Sequence, residues 1–411
     1  MLTNKKDDNG DQEEPILPVD GITIGTAASG VRYQGRLDLA IFEIASQSKF
    51  LCFFTQNKFA AAPVELAKRN LRKRTPKYLI VNSGNANAGT GQNGIDSAYR
   101  VCEFVAQEAA CQLEEVLPFS TGVIGEQLDD QTIIQKIPQI FSSLRPDGWQ
   151  DAANAIMTTD TFPKIQSREI DFGEESQVVT GICKGSGMIK PNMATMLAYV
   201  ATDACCSQEI LQFIGEESLE RSFNRITVDG ETSTNDAFVL ISTGCSRSEA
   251  INSKEDPRYQ ILYDAVSQVC IELAKDIVRD GEGATKLVSV EVIGARCPED
   301  ALAVAYSVAE SSLVKTAFFA EDPNWGRILS AVGASGISDI DIEKVDILIG
   351  DQRVATNGAL DVDYEETRVS SIMKEKEFDV RINLNSGKAR DAVWTCDLSY
   401  EYVRINSEYR S

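Results

Sequence analysis

The stretch Lys184-Gly-Ser-Gly-Met-Ile-Lys-Pro-Asn-Met-Ala194-Thr195-Met-Leu-Ala-Tyr-Val200 runs from a glycine-rich, proline-bearing loop, through one small residue, into a buried apolar strand. Thr195 is thereby a hydroxyl on a constrained turn at the mouth of that strand. A strained peptide before it would present the Ala194 carbonyl to the threonine's own Oγ, and attack there would give an ester by N→O acyl shift. Hydrolysis of the ester frees an α-amine at Thr195. Such an amine has an ordinary pKa of about 7.7–8.0, so part of it is neutral at pH 7. It can then act as base for the hydroxyl beside it. On spacing alone, the same residues also read as a plain loop-to-strand junction.

Strand and helix signals interleave on both sides of this stretch. Leu37, Leu39 and Ile41 alternate with polar or small neighbours, and short apolar runs at 49–54, 78–81 and 116–120 read as strands. Further strands are expected at 177–183, 196–203, 237–243, 287–293, 345–349 and 378–384. Ile95, Tyr99, Cys102, Val105 and Ala109 step by three or four residues, the period of an amphipathic helix. Other helices are expected at 62–73, 129–143, 150–157, 207–222, 258–279 and 299–316. No internal repeat or low-complexity segment occurs. The pattern implies a mixed α/β (α+β) chain of layered sheets covered by helices. Residues 1–20, polar and charged before Pro15 and Pro18, read as a disordered leader.

With 411 residues, the chain has room for roughly two or three domains or one composite unit. Its 62 acidic residues outnumber 40 basic ones for a net charge of −22, which argues against a nucleic-acid partner. There is no histidine. Ser-His-Asp and Cys-His arrangements and His-ligated zinc are therefore excluded, and no metal site is expected. A general base must be a carboxylate, lysine, tyrosine, cysteine or free α-amine. The ten cysteines form no C-x-x-C pair, which suits reduced thiols in a cytoplasm. No apolar run approaches the roughly 18 residues of a membrane span, and the N-terminus has no signal-like apolar core.

Three other motifs have competing readings. The basic run at 68–77, without interleaved aromatics, reads as a solvated helix end more than as a phosphate patch. Gly89-Thr-Gly-Gln-Asn-Gly94 spells a dinucleotide-type loop, but seven residues separate it from the preceding strand, and Glu114 and Glu115 precede the next strand where a ribose-binding acid should end it. A polar, tightly turning loop lining a pocket is favoured. Gly281-Glu-Gly-Ala-Thr-Lys286 is either a helix C-terminal turn or a device that points Glu282 into a site.

The chain resembles the bifunctional ornithine acetyltransferase/glutamate N-acetyltransferase family of arginine biosynthesis. The resemblance extends from about Gly21 to Ser411. It rests on VNSGNANAGTG at 81–91, STGVIGE at 120–126, MTTDT at 157–161, KGSGMIKPNMATML at 184–197, DGETSTND at 229–236, GEGATK at 281–286, EDPNWGR at 321–327 and the terminal YVRINSEYRS. It implies self-cleavage between Ala194 and Thr195 into two interwound fragments. Residues 21–194 would be the body of an α chain carrying the oxyanion half, and 195–411 a β chain led by the threonine nucleophile, assembled as an α2β2 heterotetramer. Thr121 through its hydroxyl and Gly122 through its N–H would form the oxyanion hole. Substrate would be held by Thr158, Lys184, Thr195, Glu282, Asn406 and Ser411.

The resemblance further implies N-acetylornithine and glutamate as substrates and no resident cofactor. Some members also take acetyl from acetyl-CoA, and no motif here separates the two kinds. Glu231 stands where a second aspartate is expected in DGETSTND, and Ser411 where threonine is common. Two other classes compete. A self-processing N-terminal-threonine amidohydrolase or aminopeptidase would resolve its acyl-enzyme with water, and a glutamate-driven exchange assay separates it. A glycine-loop nucleotide-binding scaffold would bind nucleotide without cutting itself.

Overall fold

The computed structural model describes residues 15–173, 175–190 and 196–408. Its main body is a pair of stacked sheets with helices on both outer faces. One sheet has the spatial order Ile22–Ala27, Leu39–Ile44, Tyr78–Asn82, Val116–Ser120. Its last two strands are parallel, and the helix Gly91–Glu108 lies between them in the chain. The other sheet has the order Lys49–Phe54, Ala237–Ser242, Leu197–Thr202, Ser176–Lys184, Lys164–Asp171.

Period-two alternation decides which layer each side chain joins. In the Leu197–Thr202 strand, Leu197, Tyr199 and Ala201 face the opposite sheet, while Ala198 and Val200 join the core under the helices Gln208–Arg221 and Pro257–Arg279. Between the sheets, Phe42 stacks on Tyr199 at 5.3 Å and meets Trp149 edge-on at 6.1 Å. Such aromatic pairs add about 0.5–1.5 kcal/mol each beyond area burial. Trp149 opens the helix Trp149–Ile156, which closes the space between the sheets.

A second layered unit follows. Seven strands run in the order Ala359–Leu360, Gln352–Thr356, Asp346–Ile349, Glu377–Asn383, Leu287–Ala295, Ala389–Cys396, Ile226–Thr227. The helices Pro298–Ala309, Ser312–Phe319, Trp325–Gly333 and Glu366–Met373 share a core with this sheet. All ten cysteines are free thiols.

The expected mixed α/β architecture of helix-covered sheets is present, with local corrections. The folded chain begins before Gly21. Val19 is fully buried, Leu17 exchanges hydrogen bonds with Ser167 and Thr180, and Thr243 donates to the Asp20 carbonyl. The Ile16–Val19 segment is apolar enough to dock, so a disordered leader to residue 20 is too long. Residues 1–14 lie outside the described residues. The helix expected over 299–316 is two helices, because Ser311 accepts from the Val314 N–H and starts a new one. The helix expected at 129–143 is likewise two, divided ahead of Pro138.

Candidate active site

Strand ends from both stacked sheets converge on one cavity of about 260 Å³. Thr121, Gly122, Thr158, Lys184, Glu282 and Asn406 all line it, together with Ala86, Met188 and the run Ser233 to Asn235. Six positions singled out in the sequence are thus brought together. Ala194, Thr195 and Ser411 lie outside the described residues.

The turn after the Val116–Ser120 strand is shaped by close backbone approach. Gly122 has φ +132°, and a Cβ there would fall 2.3 Å from the Gly84 carbonyl carbon. Thr121 N–H donates to the Asn82 carbonyl at 3.0 Å and Val123 N–H to Gly84 at 3.3 Å. Asn235 fastens the same turn by donating to the carbonyls of Ser120 and Ala86 at 2.8 and 2.7 Å. Among the described residues, neither the Thr121 hydroxyl nor the Gly122 N–H has a protein acceptor. Two unspent donors at the cavity wall can serve a developing oxyanion. Thr121→Ala is therefore expected to slow turnover roughly 10²-fold or more, about 3–4 kcal/mol. Steady-state kinetics should show KM moving far less. Normal turnover with weakened binding would reassign Thr121 to ground-state recognition.

The opposite wall is held by buried charges. Lys164 Nζ lies 2.7 Å from Asp160 Oδ1 and 2.5 Å from Asp280 Oδ2, with the lysine and Asp160 side chains wholly buried. Each carboxylate reaches onward. Asp160 accepts from the Thr158 N–H at 2.8 Å and the Gly185 N–H at 2.9 Å. Asp280 accepts from the Thr161 N–H, and its carbonyl accepts from the Ser186 hydroxyl at 2.6 Å. The Glu282 N–H in turn donates to the Ser186 carbonyl at 2.8 Å. One lysine thereby fixes the segments bearing Thr158, Lys184 and Glu282. Burial opposes ionisation of Asp160, but the ammoniums of Lys164 and Lys184 hold its carboxyl well below the usual range. Burial likewise disfavours charge on Lys164, and its two carboxylates outweigh that and raise it.

Lys184 itself is buried, and its ammonium makes no hydrogen bond to protein among the described residues. It is available to pair a ligand carboxylate as a point charge. Glu282 accepts from Asn406 Nδ2 at 2.7 Å. A Cβ on Gly187 would fall 2.5 Å from the Glu282 carboxyl carbon, so glycine alone lets that loop lie against the acid. The Gly281–Lys286 turn closes the Pro257–Arg279 helix, with Gly283 at φ +71°, and it also brings Glu282 to the cavity wall. Asn406 arrives because the Tyr400–Ser407 helix folds back onto this turn. Ser399 Oγ donates to the Gly283 carbonyl at 2.5 Å, and Asp397 accepts from the N–H groups of Thr285 and Lys286.

The 229–236 motif grips the glycine loop from both sides. Asp229 accepts from the N–H groups of Met188 and Ile189 at 2.6 and 2.9 Å, where Met188 is held at φ +60°. Asp236 accepts from Met196 N–H at 3.0 Å, and its complete burial pushes its carboxyl well above the usual range. Glu231, the departure from the expected aspartate, is exposed and donates its N–H to Asp229.

Two further motifs are tied into the fold by local contacts. In the dinucleotide-like loop, Asn87 and Thr90 bond each other, and Asn87 Nδ2 reaches the Gly94 carbonyl at 2.9 Å. The basic run spends Lys73 and Lys77 on Glu114 and Glu115 and stacks Lys68 over Phe54. Among the described residues, no cluster of three or more acids or cysteines is placed to hold a metal, and no helix is long and apolar enough to cross a membrane. The sequence reading assigned nothing to Asp160, Lys164 or Asp280. Asp160 lay inside the quoted MTTDT motif and Asp280 immediately before GEGATK, which was the available signal.

The chain belongs to the ArgJ family, whose model matches residues 23–411. It is 49% identical over 398 residues to the arginine biosynthesis bifunctional protein ArgJ of Psychrobacter arcticus, covering 97% of this chain and 98% of the relative. Against the protein of the same name from Pseudomonas syringae pv. tomato, identity is 47% over 396 residues, with 96% and 98% covered. Among solved structures, ArgJ from Bacillus halodurans is 40% identical with a TM-score of 0.49, covering 51% of this chain and 98% of that one. The resemblance carried by the sequence motifs is thus a family membership.

Proposed function

We propose that this chain is an acetyltransferase of arginine biosynthesis. It cuts itself between Ala194 and Thr195, then moves acetyl from N-acetylornithine to glutamate through an ester on Thr195. What supports the reading is the convergence of Thr121, Gly122, Thr158, Lys184, Glu282 and Asn406 on a single cavity in a member of this family. The freed α-amine of Thr195 takes the proton of its own hydroxyl as Oγ attacks the acetyl carbonyl. Thr121 Oγ1 and Gly122 N–H hold the oxyanion of the tetrahedral intermediate. Lys184 pairs the substrate carboxylate and Glu282 the ornithine ammonium. Ornithine leaves with the proton, and the amine of glutamate attacks the ester to complete a ping-pong cycle. The α and β chains assemble as an α2β2 heterotetramer, and the site of action is the cytoplasm.

The test is acetyl transfer by purified protein from N-acetylornithine, and separately from acetyl-CoA, to glutamate. Release of free acetate without N-acetylglutamate would point to an amidohydrolase. The C-terminal wall provides a second check. Glu282→Gln removes a charged partner worth about 1.5–3 kcal/mol, so the KM for N-acetylornithine is expected to rise about 10-fold or more. Deleting 406–411 should raise KM for both substrates and leave self-cleavage intact. Unchanged KM values in the truncated enzyme would make the tail purely structural.

A further inference from the structure

The proposed base for acetyl transfer, the α-amine of Thr195, does not exist before the chain is cut. In the uncut chain that nitrogen belongs to a peptide bond, and its lone pair is spent in resonance. Self-cleavage therefore needs another group to take the Oγ proton. With no histidine, that group is a carboxylate, lysine, tyrosine or cysteine. Asp236 is anchored one residue from the scene: its Oδ1 accepts from the Met196 N–H at 3.0 Å, and Met196 N is joined covalently to Thr195. The Ala237 N–H donates to the Met196 carbonyl at 3.0 Å, and the Thr55 N–H to the Asp236 carbonyl at 2.9 Å, which fixes the carboxyl from both sides. Its second oxygen, Oδ2, is buried and has no hydrogen-bond partner among the described residues. The other acids around the site are engaged. Asp160 and Asp280 hold Lys164, Asp229 takes two loop N–H groups, and Glu282 accepts from Asn406. Capping the strand at Met196 uses one oxygen only. A second oxygen left dry and unpartnered is a cost that a purely structural side chain has no reason to carry.

We infer that Asp236 is the proton carrier of the self-cleavage. The inference rests on the acetyl-transfer reading above and concerns the one step that reading leaves without a base. Asp236 Oδ2 takes the proton of the Thr195 hydroxyl as Oγ bonds to the Ala194 carbonyl carbon. It returns that proton to the Thr195 nitrogen as the C–N bond breaks, leaving an ester, a free amine and an unchanged carboxylate. Water then adds its hydroxyl to the Ala194 acyl carbon and its proton to Oγ. Burial holds the Asp236 carboxyl well above its ordinary range, which makes the ionised form a stronger base. The charge acting on it is the Lys184 ammonium, at the end of the Ser176–Lys184 strand, which pulls the other way. The hydroxyls of Ser233 and Thr55 do the same.

The test times the appearance of the two fragments from freshly translated full-length chain, on denaturing gels from acid to alkaline pH. It compares wild type with Asp236→Asn and Asp236→Glu. Asp236→Asn keeps an oxygen for the Met196 N–H but cannot accept and return a proton, so cleavage is expected to slow about 10²–10⁴-fold. Its denaturant midpoint should match that of Thr195→Ala, which is uncut as well and is the proper reference for folding. Asp236→Glu, which restores the carboxyl, should cut faster than Asp236→Asn. In wild type the cleavage rate should climb with pH as the carboxyl ionises, then level, with a midpoint above the ordinary carboxylate value of about 3.9. Cleavage of Asp236→Asn at the wild-type rate overturns the inference. If that variant does not fold, the wild-type profile decides: a rise that levels supports Asp236, and a rate flat in pH overturns it. Wild-type chain that never cuts itself would instead remove the functional reading.

Discussion

Purified Thr195→Ala protein is expected to run as one chain of 44.9 kDa and to transfer no acetyl. The wild type should give two fragments under denaturing conditions, one ending at Ala194 and the other beginning Thr-Met-Leu-Ala. In the proposed mechanism the effect is all-or-none because one residue does both jobs: its Oγ would open the Ala194 peptide, and the α-amine thereby freed would be the base for acetyl transfer. In a chain without histidine, few side chains could replace that base. Intact-mass spectrometry of wild-type protein incubated with N-acetylornithine should add one acetyl group to the β fragment. A single uncut wild-type band with full transfer activity would sink the mechanism.

Lys164→Met should produce the next largest effect. Its ammonium compensates Asp160 and Asp280 in a site closed to water. Removing one partner of a buried ion cluster costs about 3–5 kcal/mol, measurable as a lowered midpoint in denaturant. Activity should fall further than stability explains, because Thr158, Lys184 and Glu282 lose a common anchor. Misplacement by about 1 Å can cost 10²-fold in rate. The triple change Asp160→Asn, Lys164→Met, Asp280→Asn removes the three charges of the cluster together and should regain part of the stability without regaining activity. A Lys164→Met enzyme equal to wild type in both respects would remove the positioning role.

The same cluster sets a pH window. Asp160 has a folded-state pKa below its unfolded one. Its contribution is therefore fully present above the ordinary carboxylate value of about 3.9 and is lost as pH falls through the folded value. Lys164 is raised, so its share is present below about 10.4 and is lost as pH climbs through its folded value. The wild-type advantage over Lys164→Met should accordingly be flat across neutral pH and shrink at both extremes.

The sandwich was legible where burial writes itself into the period of the sequence. The apolar runs at Leu197–Thr202 and Ala237–Ser242 could only be strands covered on both faces. The Lys164–Asp171 strand was missed because its sequence, KIQSREID, is mostly polar. Lys164 is buried by two carboxylates, one of them far along the chain, and no local pattern announces that. The Ala389–Cys396 strand was missed for a related reason: Asp391 inside it is matched by Arg225 from elsewhere. At the site, motif residues were legible because chemistry demands particular side chains there.

The place of the Ala194–Thr195 bond in the chain has a thermodynamic consequence. Lys184 and Leu197 are register partners on adjacent antiparallel strands, so the proposed cut falls in the connection between two neighbours. Strands from before the cut, Lys49–Phe54 and Ser176–Lys184, flank the two from after it, Leu197–Thr202 and Ala237–Ser242. Severing that connection removes no ladder hydrogen bond, yet it turns an intramolecular fold into a complex of two polypeptides. Unfolding then becomes dissociation, and its midpoint should rise with protein concentration, as mass action requires. The uncut Thr195→Ala chain should show a weaker dependence, because only its assembly with a second copy remains subject to mass action. Refolding of the mature protein from denaturant should be second order, limited by the meeting of two partners that once shared a backbone.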